Sequence, residues 1–244
     1  WKELKKLNAQ IVDEHYYNSP EWFMKNAGRY DKYDRSGPKV FAGEYAAQSV
    51  GVVKPDNKNS WLTALSEAAF MTGLERNADV VTMTSYAPLF AHADGWQWTP
   101  DLIWFNNLKS YATPNYYVQK LFSNNKGTDL IKISENGNPL KGENSLYASA
   151  VKDSKKGEII IKIVNTNPKE TSVEINPKQI KFGSMMTKIT LTSSGLADEN
   201  NVESETIKPK EEIQTIKKGK ISVDIPANSL AVGNPARVIK KLEE

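Results

Sequence analysis

The stretch Val40-Phe41-Ala42-Gly43-Glu44-Tyr45-Ala46 decides how this chain of 244 residues is interpreted. It is a short apolar run that begins after the turn Ser36-Gly37-Pro38 and carries one carboxylate near its end, which favours a buried parallel strand over a helix. In α/β barrels the active site lies at the carboxyl ends of the strands, so an acid in this place is a candidate for chemistry. Glu44 is therefore our candidate catalytic residue.

A second short apolar run, Ala9-Gln10-Ile11-Val12, leads into Asp13-Glu14-His15-Tyr16-Tyr17. A carboxylate, an imidazole and phenols at two adjacent strand ends describe a pocket for a polar, ring-shaped ligand. Taken singly, Glu44 fits a solvated or capping residue and His15 fits a structural histidine. The two motifs together favour the functional interpretation, because their spacing fits one strand–helix–strand unit.

Helices and strands alternate through the first half of the chain. Ser19 is a good N-cap for a helix within residues 19–34, and Asn59-Ser60 precedes a helix from Trp61 to Asn77. A strand over Val80–Tyr86 and a helix from Thr113 to Phe122 follow. This order is typical of parallel α/β structure with right-handed crossovers.

In the second half of the chain, apolar residues recur at every second position. Short segments of this kind, separated by the turn-forming pairs Asn-Gly, Lys-Gly, Asn-Pro and Ser-Gly, predict seven strands of an antiparallel β-sandwich. They are Leu130–Ile133, Leu146–Ala150, Glu158–Val164, Thr171–Ile175, Thr187–Leu191, Ile213–Ile216 and Lys220–Ile225. We place the domain boundary where the period changes, which gives residues 1–122 and 123–244.

The composition narrows the range of functions. The chain has 32 Lys and Arg against 29 Asp and Glu, and its lysines are scattered rather than interleaved with aromatic residues, which argues against nucleic-acid binding. The absence of cysteine excludes disulfides, thiolate metal sites and a cysteine nucleophile. The sequence contains no apolar stretch of 18 residues, which is the length that would predict a membrane-spanning helix. Because the chain begins at Trp1 without Met, we expect a fragment or a processed product.

Several motifs together resemble family 51 of the glycoside hydrolases, the α-L-arabinofuranosidases. The resemblance covers nearly the whole chain and is specific only in combination. The motifs are Asp13–Tyr17, Phe41–Tyr45, Ser85-Tyr86-Ala87-Pro88-Leu89-Phe90, Gly95-Trp96-Gln97-Trp98-Thr99-Pro100-Asp101 and Gly195-Leu196-Ala197-Asp198-Glu199-Asn200. It implies the C-terminal part of a (β/α)8 barrel followed by an antiparallel β-sandwich.

The resemblance also implies roles for the candidate residues. Glu44 is similar to the nucleophile of a retaining glycosidase, at the end of barrel strand seven. His15 and Tyr17 are similar to substrate-binding residues at the end of strand six, and we expect Tyr86, at the next strand end, to line the same cavity. The implied substrate is an arabinose-containing polysaccharide or oligosaccharide, with no cofactor and no metal. We favour an extracellular or periplasmic location over a cytoplasmic one, and a homo-oligomer is compatible with the sequence.

The chain departs from the family pattern in two places. The family's acid/base glutamate follows an asparagine, and no Asn-Glu pair occurs in this sequence. We therefore expect the acid/base upstream of residue 1, with Glu14 as the nearest substitute within the chain. The segment from Ala231 to Lys241 is also atypical. It resembles the tail of hexapeptide-repeat acyltransferases, and we interpret it as an idiosyncratic tail of this chain.

Two alternatives stay open at this point. Another retaining barrel glycosidase, a xylosidase or an endoglucanase, would use the same strand-end glutamate. A non-catalytic carbohydrate-binding module would combine a sandwich with a Trp-rich loop. A sequence upstream of Trp1 that contains an Asn-Glu pair at a strand end would support the enzyme.

Overall fold

The computed structural model describes residues 2–177, 182–216 and 220–235. Its first part is a parallel sheet with the strand order β1-β2-β3, joined by helices. The elements are α1 (Lys2–Lys6), β1 (Ile11–Asn18), α2 (Pro20–Lys25), β2 (Lys39–Ala47), α3 (Trp61–Arg76) and β3 (Val81–Thr84). The strand–helix–strand order predicted for this half is present in the structure.

A small three-stranded sheet and a helix follow β3. The sheet consists of β4 (Phe90–His92), β5 (Ile103–Phe105) and β6 (Ser110–Ala112). Helix α4 (Pro114–Asn124) begins where the Thr113 side chain accepts the Tyr116 N–H. Thr113 with proline at the first helical position is the expected start of a helix.

The remaining strands form an antiparallel sandwich. One sheet has six strands in the order β12-β11-β14-β9-β8-β7, and β10 pairs with β13 in a second sheet. The strands are β7 (Asp129–Ile131), β8 (Leu146–Asp153), β9 (Glu158–Asn165), β10 (Thr171–Ile175), β11 (Met185–Thr192), β12 (Lys210–Thr215), β13 (Ile221–Ile225) and β14 (Ser229–Pro235). The sandwich predicted from the two-residue period is confirmed.

Helix α3 connects the parallel sheet with the sandwich. It contacts β2 and α2 on one side and β8, β9 and β14 on the other. From Trp61 to Leu74, all of its residues except Leu62 are buried. A helix that is buried all round loses the amphipathic pattern of a surface helix. Side chains from both halves accordingly belong to one hydrophobic cluster, and the division into residues 1–122 and 123–244 stays a prediction.

The structure adds one helix end and one strand that were not predicted. The helix expected within residues 19–34 starts after Ser19 as predicted and ends at Lys25, where the Asn26 N–H turns back to the carbonyls of Met24 and Trp22. Strand β14, which lies between β11 and β9, was not among the seven predicted strands. It contains the first part of the atypical tail, and residues 236–244 lie outside the described residues.

Candidate active site

The candidate site lies where β1 and β2 run side by side. The strands are in register from Ile11 to Glu14, and then the register shifts by one residue. Gly43 is left without a partner in β1, and His15 lies opposite Glu44. A shift of this kind changes the direction of side chains locally. Here it places the imidazole beside the carboxylate.

Three predicted site residues meet at one carboxylate oxygen. The Tyr17 hydroxyl donates a hydrogen bond to Glu44 Oε2 at 2.8 Å. His15 Nδ1 lies 3.5 Å from the same oxygen, and Asp13 Oδ2 lies 2.8 Å from His15 Nε2. Burial and the hydrogen bond to Glu44 raise the pKa of Tyr17 far above its usual value, so the phenol stays protonated and remains a donor.

Tyr86 is more deeply buried than these three residues. Its side chain is 7% exposed and packs with Ala46 and Leu102 in a small cluster against which Tyr17 also packs. Its hydroxyl accepts the Asn59 Nδ2–H at 3.1 Å. The structure therefore brings the Tyr86 ring beneath Tyr17 and directs its hydroxyl into a buried polar group.

Asp101 is a further carboxylate near the site that the sequence did not single out. It is 2% exposed, and burial raises its pKa to about 6. Its Oδ2 is buried and makes no hydrogen bond within the described residues. Its charge acts to raise the pKa of Tyr17 and Tyr86, and the next residue, Leu102, packs in the small cluster that contains Tyr86 and touches Tyr17. It is the one acid of the Trp-rich motif quoted above, and that was the only signal in the sequence.

Glu14, the nearest substitute for the missing acid, is turned away from Glu44. Its carboxylate accepts hydrogen bonds from Tyr16, from Tyr30 at 2.8 Å and from Tyr33 at 3.0 Å, and Arg29 Nε lies 3.6 Å away. Burial acts to raise the pKa of Glu14, but these hydrogen bonds and the Arg29 charge lower it overall. An ionised carboxylate held in this way is a structural anchor rather than a proton donor.

The carboxyl end of β2 is fixed from below by helix α3. The Ala47 N–H donates to Glu67 Oε1 at 2.8 Å, and Glu67 is fully buried. Burial raises the pKa of Glu67 to about 8, so its carboxyl group is neutral at pH 7. This bond holds the strand three residues beyond Glu44.

Within residues 2–177, 182–216 and 220–235, no group of three or more His, Cys, Asp or Glu side chains is arranged to hold a metal ion. None of the described helices is long and apolar enough to cross a membrane. The candidate site is thus a carboxylate with a phenol and an imidazole beside it.

Comparison with known proteins decides the family. The model of the family described as "Alpha-L-arabinofuranosidase C-terminal domain" matches residues 43–229. The chain belongs to this family. An extracellular exo-α-L-arabinofuranosidase of Streptomyces chartreusis is 59% identical over 131 residues, which are 54% of this chain and 15% of that protein. α-L-Arabinofuranosidase 1 of Arabidopsis thaliana is 34% identical over 231 residues, which are 91% of this chain and 33% of that protein.

Solved structures agree with this arabinofuranosidase family. The arabinose-bound structure of the family 51 enzyme MgGH51 superposes with a TM-score of 0.83 at 33% identity, covering 92% of this chain and 36% of that chain. The arabinofuranosidase of Thermotoga maritima, with a TM-score of 0.73 at 17% identity, shares the fold. The resemblance to family 51 is confirmed. The chain spans about a third of the length of the Arabidopsis relative.

Proposed function

We propose that the chain is the C-terminal part of a retaining α-L-arabinofuranosidase and that Glu44 is its nucleophile. The observation that carries the proposal is the contact of Glu44 Oε2 with the Tyr17 hydroxyl and the His15 ring at the end of β2. A phenol that donates to the carboxylate keeps one oxygen oriented and leaves the other for attack on an anomeric carbon. Relatives named as arabinofuranosidases support the substrate class.

The reaction needs a second carboxyl group. In a retaining glycosidase the acid that protonates the leaving oxygen lies about 5–5.5 Å from the nucleophile. Glu14 does not fill this role, because its carboxylate is bound by three tyrosines. We place the acid/base outside these 244 residues, since the family's Asn-Glu pair is missing from the sequence.

His15 and Tyr17 are proposed to contact the bound sugar as well as Glu44. His15 is exposed and Tyr17 is partly buried, and both lie at the end of β1, where a ligand reaches them. We assign Tyr86 to the wall of the same pocket through its ring, which supports Tyr17 from below. The leaving group is the remainder of an arabinose-containing polysaccharide or oligosaccharide.

The parallel sheet is proposed to be the end of a (β/α)8 barrel, with β1, β2 and β3 as its last three strands. The parallel order of these strands and the helical crossovers between them support this assignment. We keep the boundary between residues 122 and 123, beside the end of α4. We propose an extracellular or periplasmic location, and the word extracellular in the name of the Streptomyces relative supports an extracellular one.

The direct test is Glu44→Ala in the enzyme that contains this chain. We expect hydrolysis of an aryl α-L-arabinofuranoside to be lost while the circular dichroism spectrum is unchanged, because the covalent step has no other carboxylate to use. Added azide should restore turnover by taking the vacated position and give a glycosyl azide of inverted configuration. Glu203→Ala, which removes an exposed carboxylate paired with Lys109, is the matched control and should keep full activity.

The same assay separates the alternatives. Hydrolysis of an aryl β-xyloside with no hydrolysis of the arabinofuranoside would replace the substrate class and keep the nucleophile. Saccharide binding that is equal in Glu44→Ala and in the wild type, with no turnover in either, would support a carbohydrate-binding module. Full activity of Glu44→Ala would remove Glu44 from the reaction.

A further inference from the structure

Asp13 lies two residues before His15 on β1 and contacts the ring nitrogen that does not face Glu44. His15 is bound through both ring nitrogens, with Nε2 at 2.8 Å from Asp13 Oδ2 and Nδ1 at 3.5 Å from Glu44 Oε2. Asp13, His15 and Tyr17 alternate with Glu14 and Tyr16 along β1, so the first three share one face of the sheet. The imidazole therefore bridges two carboxylates.

Gly43 makes room for the Asp13 carboxylate. A Cβ atom at Gly43 would lie 2.2 Å from Asp13 Oδ1 and 3.0 Å from Asp13 Cγ. Gly43 lies within strand β2, in extended backbone that other residues also adopt, so its missing side chain matters for space. The residue before the proposed nucleophile thus determines where Asp13 can lie.

We infer that Asp13 is a positioning residue for Glu44, which acts through the His15 ring, and that Gly43 keeps open the space in which its carboxylate lies. The inference rests on the proposed function in one respect, since it takes Glu44 as the nucleophile. Asp13 itself touches neither the proposed sugar nor the reacting oxygen; it orients the ring that contacts Glu44.

The donor and acceptor chemistry of the ring explains the arrangement. An ionised carboxylate only accepts, so the bond between Asp13 and His15 requires a proton on Nε2. With Nε2 protonated, Nδ1 faces Glu44, and it attracts that carboxylate when it also carries a proton. The described titratable groups in contact with the ring are Asp13 and Glu44. Asp13 therefore fixes both the rotation of the ring and the position of its first proton.

Nitrogen NMR on the enzyme that contains this chain tests this without any turnover. Histidine is labelled selectively with 15N, and the ring signals of His15 and His92, the two histidines of this chain, are assigned from the variants His15→Gln and His92→Gln. We expect His15 to carry its proton on Nε2 in the wild type and to gain the Nδ1-protonated tautomer in Asp13→Ala. His92, whose Nδ1 accepts the Asp94 N–H at 3.1 Å, reports an intact fold and should not change. Asp13→Asn keeps the size of the side chain and should shift the His15 signals less, in the same direction.

Gly43→Ala tests the same inference without a change at Asp13. The added methyl group would displace the Asp13 carboxylate, so the His15 signals should move as they do in Asp13→Ala. In the Asp13→Ala background the closest obstruction is gone and the Phe41 ring remains 3.0 Å from the added methyl group, so Gly43→Ala should then cause a smaller further change, which is a non-additive pair. His15 signals that match those of the wild type in both single variants would overturn the inference.

The rate at which Glu44 is covalently labelled tests whether the orientation of the His15 ring affects the reactivity of Glu44. A 2-deoxy-2-fluoro-arabinofuranosyl fluoride needs little acid assistance and should label Glu44, as read by mass spectrometry of the peptide. We expect Asp13→Asn to slow labelling by up to about 100-fold through misplacement of the carboxylate. Asp56→Asn, at an exposed loop position, should label at the wild-type rate. Absence of label on wild-type Glu44 would contradict the proposed function alone, whereas wild-type labelling rates in Asp13→Asn would overturn the positioning role.

Discussion

The Tyr17 hydroxyl has one proton to donate, and Glu44 Oε2 accepts it at 2.8 Å. A hydrogen bond to a charged group contributes about 1.5–3 kcal/mol, so Tyr17→Phe should lower kcat/KM roughly 10- to 100-fold in the enzyme that contains this chain. Steady-state kinetics with an aryl arabinofuranoside measure the effect. Tyr117→Phe removes a similar phenol–carboxylate bond, to Glu205 rather than to Glu44, and should leave kcat/KM unchanged. Wild-type kinetics in Tyr17→Phe would exclude the hydroxyl from the reaction.

The sequence was enough to predict which residues lie at the strand ends, but not how deeply each side chain is buried. The period of two in β1 is enough to place Asp13 on the face of His15 and Tyr17, and to turn Glu14 to the other face, where three tyrosines bind it. The register shift at Gly43 is not visible in the sequence, because it depends on the space between two strands. The burial of Tyr86 depends on side chains from β2 and the β4–β6 region, which no local pattern reports.

Helix α3 and strand β2 are coupled through Glu67, and this coupling depends on pH. Burial raises the pKa of Glu67 to about 8, from the ordinary value of 4.5 expected in the unfolded chain. The folded protein therefore holds a proton that the unfolded chain releases between these two values. The stability that this neutral carboxyl group provides is fully present below pH 4.5 and is lost as the pH rises through 8.

Glu67→Gln should remove this loss, because an amide oxygen still accepts the Ala47 N–H and has no proton to release. We expect the free energy of unfolding of the variant to exceed that of the wild type at pH 9 by on the order of a few kcal/mol. Near pH 5 the difference should be much smaller. Urea unfolding at both pH values measures it, and an equal difference at both would refute the assignment of a neutral Glu67.

Among the elements, the strands with clean alternation were predictable and β14 was not. Its sequence, Ser-Leu-Ala-Val-Gly-Asn-Pro, ends in three residues that are typical of turns. Its pairing with β9 and β11 is set by partners far along the chain. The start of helix α2 at Ser19 was predictable from its cap, whereas its end at Lys25, where the Asn26 N–H turns back to the carbonyls of Met24 and Trp22, was not.

At the scale of the whole molecule, a buried ion pair joins helix α3 to the sandwich. Lys162 on β9 has no exposed side-chain surface, and its Nζ lies 2.6 Å from Glu75 Oε1 on α3. Lys162→Met should cost about 3–5 kcal/mol in the free energy of unfolding, because it leaves the Glu75 carboxylate without its partner. Adding Glu75→Gln should recover much of the loss, as glutamine is uncharged and still accepts from Ser149.

The matched control for this prediction is an exposed pair. Lys220 and Glu174 lie 3.2 Å apart on the second sheet, with more than half of each side chain exposed. Lys220→Met should cost less than about 1 kcal/mol. Chemical denaturation of the three variants and the wild type compares them directly, and equal costs for Lys162→Met and Lys220→Met would show that burial of the ion pair contributes nothing.

The position of β14 has a consequence for synthesis on the ribosome. β9 and β11 leave the exit tunnel before β14, yet β14 is the strand that joins them. Until it emerges, the nascent chain carries this sheet as two separate pieces, β7-β8-β9 and β11-β12, each with an open edge that can pair with a wrong strand. The six-stranded sheet can therefore form as a whole only after β14, the last described strand, has left the ribosome.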